Sequence, residues 1–287
     1  MKHALKKAVP GDRWPGYSNR GTALNRLSFD RQRLTLEATS TMDTVTLYIL
    51  LVVFFATLLR SAFGFGEALV AVPLLALRIP LPIAAPLAVL VSITVAGVIV
   101  VQDRHMIHVR SAGWLVLSTL LGIPLGLMLL KGGNQGVVKA TLAILILAFS
   151  VYSLLARNPP RLNHDSRIWL FICGFCAGIL GGAYGMNGPP LVIYGTMRRW
   201  SAQQFRATLQ GYFLPASLMG MGSYWLAGLW VPIVTHYYLL SLPVMLPAIF
   251  LGRTVNHRLH GDVFLKYVYG GLAAIAVVLF MQAVHPS

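Results

Sequence analysis

Acidic residues are scarce: eight Asp and Glu stand against 23 Lys and Arg in 287 residues, and charged residues together make up 11% of the chain. Soluble domains carry roughly 25% charged residues, so water is not the main solvent here. Cysteine is nearly missing too. Cys173 and Cys176 lie inside one apolar run, which excludes a secreted disulfide framework. Three apart on one helix face, they read as small packing residues more readily than as a redox pair. No Walker loop, EF-hand, zinc-protease helix or nucleophile elbow occurs. His105, His108, His164, His257 and His260 fall in polar connections without metal-ligand spacing, so neither a metal nor another cofactor is expected.

What the chain has in abundance is apolar residues, 56% of the total. They fall into runs near the roughly 20 residues that cross about 30 Å of hydrocarbon. Only helices satisfy their own backbone there without closing into a barrel. The punctuation predicts an all-α integral membrane protein with about eight transmembrane helices, near 44–63, 82–102, 112–131, 136–156, 167–182, 204–226, 231–252 and 263–284. The net charge of +15 sits, from Arg60 onward, mostly in short connections that meet lipid headgroups, so the lipid bilayer is a partner and nucleic acid is not. Trp114, Trp169, Trp200, Trp225 and Trp230 stand near span ends, where indole rings prefer the interface.

Residues 1–43 differ from the rest, with eight Lys and Arg, four acids and no signal-peptide core, and read as a disordered basic tail. Met42 directly precedes the first apolar run and is an alternative start of translation. Counting the tail reverses the orientation given by the positive-inside rule. Without it, five cations lie on the N-terminal side and nine on the other.

Two further apolar stretches, 64–77 and 183–197, are too short to cross and are crowded with glycine or proline. They occupy matching places 121 residues apart: Gly64-Phe65-Gly66 after the first span, Gly185-Met186-Asn187 after the fifth. Gly126 before a polar break similarly resembles Gly252 before another. The chain therefore reads as two homologous halves, 44–156 and 167–284, joined by a loop at 157–166, each half with a broken intramembrane segment. Four crossings per half would place the halves parallel; one more or fewer would invert them.

Backbone that leaves the helix inside hydrocarbon must line protein or a cavity. A half-helix starting after Gly185-Met186-Asn187-Gly188-Pro189-Pro190 would point its positive end inward and favour an anion. The bland alternative is that small residues serve tight helix packing. The run from Gly64 to Leu75, and that from Gly181 to Tyr194, resemble the two motifs of the sulfite exporter TauE/SafE family of bacterial membrane transporters. The resemblance covers roughly 44–284. It implies a multi-pass protein of a bacterial inner membrane that moves sulfite, sulfonates or related organic acids through a path near the glycine-rich segments, with association into a homo-oligomer left open.

Glu67 departs from the small residue frequent in that motif, and it is the acid that falls at membrane depth. An ionised carboxylate there costs about 2.5–3.5 kcal/mol unless paired, hydrated or protonated. A protonatable Glu67 would couple anion movement to a proton; its bland alternative is a partner for Arg60, seven residues earlier, if the chain folds back. The expected transport path comprises Gly64, Gly66, Glu67, Gly185, Asn187, Gly188, Pro189, Pro190, Arg206 and Gln210, with Arg206 as an oxyanion fork or a headgroup-seeking cation. A gradient-driven anion transporter is the leading reading. The alternatives are a membrane-embedded enzyme acting on a lipid-like substrate, and a passive scaffold.

Overall fold

Ten helices account for nearly all the residues described by the computed structural model, which are 44–103, 109–155, 162, 166–198, 202–256 and 261–284. Tail residues 1–43, the five polar-loop histidines and Trp200 lie outside them. The helices are α1 (Thr44–Phe63), then α2 (Glu67–Ala76), α3 (Leu81–Asp103), α4 (Val109–Gly132), α5 (Gln135–Leu155), α6 (Arg167–Tyr184), α7 (Gly188–Met197), α8 (Ala202–Leu226), α9 (Pro232–Asn256) and α10 (Gly261–Val284). No strand occurs among the described residues. Six helices among them, α1, α3, α4, α5, α6 and α9, are long and apolar enough to cross a membrane. Large apolar side chains such as Leu121, Met128, Phe171 and Phe250 face outward, as a lipid-solvated surface requires.

Both short helices begin where glycine breaks the chain. Gly64 and Gly66 adopt φ of 83° and 96°, and Gly185 adopts 67°, left-handed values that a side chain disfavours. At Gly185 the break also ends α6: its N–H bonds the Gly181 carbonyl at 2.9 Å and that of Met186 bonds the Leu180 carbonyl at 3.2 Å, so these two carbonyls of the last turns of α6 are satisfied. Pro189 and Pro190 do not stop a helix here. They open α7, in a first turn whose N–H groups have no helical acceptor anyway.

After each break the chain doubles back. The Tyr48 hydroxyl, near the start of α1, donates to the Leu74 carbonyl near the end of α2 at 2.6 Å, and Arg78 lies 6.0 Å from the Tyr48 ring. Correspondingly, the Leu162 N–H just before α6 bonds the Met197 carbonyl at the end of α7 at 3.0 Å, and Arg198 donates to the Leu162 carbonyl at 3.0 Å. Each short helix thus returns towards the side from which the long helix before it came.

Close backbone approach holds α4 and α6 together. A Cβ on Gly122, Gly178 or Gly182 would collide with the carbonyl oxygens of Phe175, Thr119 and Ile123 respectively, so Gly-xxx-Gly spacing lets the two backbones meet. Across the joint the Thr119 hydroxyl bonds the Gly174 carbonyl at 2.9 Å and the Tyr212 hydroxyl of α8 at 2.7 Å. Gly126 meets Ile179 and Ala183 of α6, and Gly252 meets Leu58 and Ala62 of α1 in the same way. Gly178→Val should therefore lower the thermal-unfolding midpoint in detergent by the equivalent of about 1–3 kcal/mol. Gly222→Ala, where an added Cβ meets nothing within 4 Å, should stay within about 0.5 kcal/mol of the parent; equal midpoints would refute the close joint.

Candidate functional site

Arg60, in the last turn of α1, and Glu67, the first residue of α2, flank the first break and are 2% and 1% exposed. Burying either charge alone costs several kcal/mol, so the two must find each other. They form an ion pair through Arg60 Nη1 and Glu67 Oε2. This is the fold-back partnership that the sequence offered as the bland account of Glu67. The pair does not stand alone: Nη1 also donates to Ser92 Oγ of α3 at 2.6 Å, and Nη2 donates to Gln210 Oε1 of α8 at 3.1 Å. Gln210 turns its amide nitrogen to the Gly64 carbonyl at 2.8 Å, so one side chain satisfies both the guanidinium and the broken backbone. Ser217 Oγ reaches Ser92 Oγ at 3.2 Å. The Phe213 ring lies 4.8 Å from the guanidinium carbon, within cation–π range.

Gln210, Phe213 and Ser217 stand at helical spacing i, i+3, i+7, which puts them on one face of α8. That face meets the second break. A cavity of about 20 Å³ is lined by Arg60, Gly66, Glu67 and Ser92 from the first half and by Gly185, Asn187, Gly188, Pro189 and Ser217 from the second. It is room for about one water molecule. Asn187 caps α7 without bonding it, and its Oδ1 packs over Gly181, where any Cβ would collide with it. Asn187 Oδ1, Glu67 Oε1 and Arg60 Nε are buried with no protein hydrogen-bond partner. Three of the residues that line the void thus each carry one buried polar atom without a partner, which marks it as a candidate site.

Of the residues expected on the path, Gly66, Glu67, Gly185, Asn187, Gly188 and Pro189 line this cavity, while Gly64 and Gln210 are bonded to each other at its edge. Pro190 lies elsewhere, on an apolar cleft of about 630 Å³ along α5, α6 and α7 that also holds Cys173 and Cys176. Arg206 belongs to α8, but its side chain lies outside the described residues. Ser92, Phe213 and Ser217 were not expected. The helix-end account of anion binding weakens in the second half, because Pro189 and Pro190 remove two of the N–H groups that an anion would need. In the first half, Glu67 itself takes the favourable position at the positive end of α2. Among the described residues that line the cavity, Arg60 is the cation.

A cavity shared by two broken helices in an all-helical, lipid-solvated chain is the architecture of transport. The family model described as Sulfite exporter TauE/SafE matches residues 49–279. The chain belongs to this family. TauE/SafE proteins are membrane transporters and not enzymes, which removes the lipid-modifying alternative and makes the Arg60–Glu67 cavity a candidate solute site. Comparison with curated proteins finds no match, nor does comparison with solved structures.

Removing one member of the pair should expose the cost of the other. Glu67→Ala should destabilise the detergent-solubilised protein by about 3–5 kcal/mol, and the double substitution Arg60→Leu with Glu67→Leu should regain most of that. Thermal unfolding of the parent and these two variants checks this, and a double variant no better than Glu67→Ala would show that the two charges are not coupled.

Proposed function

We propose that this TauE/SafE member is a secondary transporter of a small anion, of the class of sulfite, sulfonates and related organic acids, and that Glu67 couples its movement to a proton. The observation that carries the reading is the convergence of both helix breaks and a buried Arg–Glu pair on one small polar cavity. A scaffold has no use for polar atoms left unpartnered in its centre, and a transporter needs them to bind and release its cargo.

The same reading assigns the chain two inverted repeats, α1–α5 and α6–α10, each a re-entrant hairpin followed by three crossings. Equal offsets support it, since α2 and α7 begin 121 residues apart and so do α3 and α8. So does the return of α2 beside α1 and of α7 beside the start of α6, which removes one crossing from each half and reverses the second. Lys131 at the end of α4 bonds the Ala227 carbonyl at the end of α8 at 2.8 Å, as ends on one membrane face must. Inversion lets one hairpin enter from each side, so that the cavity between their tips can open to either face in turn. The protein would do this in the inner membrane of a bacterial cell.

Proteoliposomes should take up labelled sulfite, a sulfonate or a short carboxylate saturably, with a rate that responds to an imposed pH gradient. Glu67→Gln should abolish the response to the gradient while the protein still inserts and folds. Flux of none of these anions would remove the assigned substrate class.

A further inference from the structure

The cavity beside Arg60 has room for about one water, not for a sulfur or carbon oxyanion. The guanidinium fork that would grip such an anion is already occupied, at Nη1 by Glu67 and Ser92 and at Nη2 by Gln210. Of these, Ser92 and Gln210 are neutral and can share a cation with a guest. Glu67 is itself an oxyanion, chemically the same kind of ligand as the cargo. It is carried on the first residue of a helix that begins at a left-handed glycine, Gly66, so displacement of the break moves the carboxylate with it. Glu67 Oε1 and Arg60 Nε lack partners, so the pair leaves one acceptor and one donor unused on two residues that line the cavity.

We propose that Arg60 is the anion receptor of this protein and that Glu67 is its resident ligand, exchanged for a protonated form when a monovalent oxyanion takes its place. The inference rests on the transport reading and sharpens it. One proton moves from the aqueous phase to the Glu67 carboxylate, the Arg60–Glu67 ion pair separates, and the oxyanion occupies the fork; release runs the same steps backward, with the proton leaving to the other aqueous phase. No covalent bond to the cargo forms or breaks.

Charge neutrality decides which states can be buried. Among the described residues lining the cavity, Arg60 from α1 and Glu67 from α2 carry charge, while Ser92 of α3, Asn187 at the second break and Phe213 and Ser217 of α8 are neutral, as are the remaining lining residues of α2, α5, α7 and the two breaks. The empty site with Arg60 cationic and Glu67 anionic is neutral. So is the loaded site with Arg60 cationic, Glu67 protonated and one monoanion bound. Binding without the proton leaves an excess negative charge, and protonation without the anion leaves an excess positive one; both are disfavoured at low dielectric. Slippage is thereby suppressed in both directions, and a divalent oxyanion is excluded by the same count.

Isothermal titration of the full-length protein in nanodiscs, from about pH 5 to about pH 8, tests this with methanesulfonate and sulfate, tetrahedral sulfur oxyanions of charge −1 and −2. Methanesulfonate affinity should fall by about tenfold per pH unit where Glu67 is ionised, the signature of one linked proton. Glu67→Gln should bind it more tightly than the parent at the alkaline end, with no pH slope, and Arg60→Lys should bind it at least about tenfold more weakly. Sulfate should bind at least about tenfold more weakly than methanesulfonate. A flat pH profile in the parent, weaker binding by Glu67→Gln, or preference for sulfate overturns the exchange; should Glu67→Gln fail to fold, the parent's pH series and the charge comparison still decide. Flux of labelled methanesulfonate, measured alongside, separates the two readings: flux with pH-independent binding overturns the exchange alone, whereas proton-linked binding without flux overturns transport.

Discussion

A guanidinium and a carboxylate held out of water constrain everything around them. Each would be expensive alone at membrane depth, and their pairing through Arg60 Nη1 and Glu67 Oε2 fixes the end of α1 against the start of α2 across only seven positions. A continuous helix cannot bring those two side chains together in this way, because residues seven apart lie two turns, about 10 Å, from one another along the axis. The break at Gly64 to Gly66 is therefore a condition of the pair as much as a consequence of glycine. The pair in turn recruits the rest: Ser92 from α3, and Gln210 from α8, which also bonds the carbonyl that the break exposes.

Those connections explain why helices from both halves must pack closely. For Gln210 and Phe213 to reach a guanidinium carried by α1, α8 has to lie beside the tip of the first hairpin, and for Asn187 to reach the same cavity the second hairpin has to approach from α6. The glycines of α4 and α6 set that distance. A side chain at Gly178 or Gly182 would push α6 away from α4, and with it the second break, whose Asn187 sits over Gly181. The glycines within α6 and the one that ends it thus do different work: the first bring backbones together, while Gly185 turns one.

The breaks and the lone acid were legible in the residues because each violates a rule of its surroundings. Glycine-rich and proline-rich stretches cannot cross a bilayer as plain helix, and an acid inside an apolar run needs a partner. Arg60 was harder to read, since a cation at the end of an apolar run is ordinarily an interface residue, and only the return of α2 takes it inside. Ser92 and Ser217 gave no signal at all. A serine in a membrane helix can satisfy itself on the carbonyl four residues back, as Ser118 and Ser223 do here at 2.9 Å, so its presence says nothing of a site. The prolines shifted the expected start of the second half-helix: it was read as following Pro190, whereas α7 starts at Gly188 and holds both prolines in its first turn, where their missing N–H groups cost no helical bond.

On the proposed reading as two repeats, the halves divide the chemistry. Shifted by 121 residues, Glu67 falls on Gly188 and Arg60 on Gly181, so the second hairpin holds no counterpart of either charge. It contributes shape and neutral polarity instead: Asn187, a helix start with two N–H groups deleted, and a glycine, Gly181, small enough for the carboxamide to rest on. A charged pair in each half would place four ions around a one-water void, with like charges in close approach. Confining both ions to one hairpin keeps the cavity neutral and leaves the other hairpin free of an ionic tether to it. An element that must move relative to its partner is better joined to it by weak neutral contacts than by a buried salt bridge, because breaking the latter strands two charges at once.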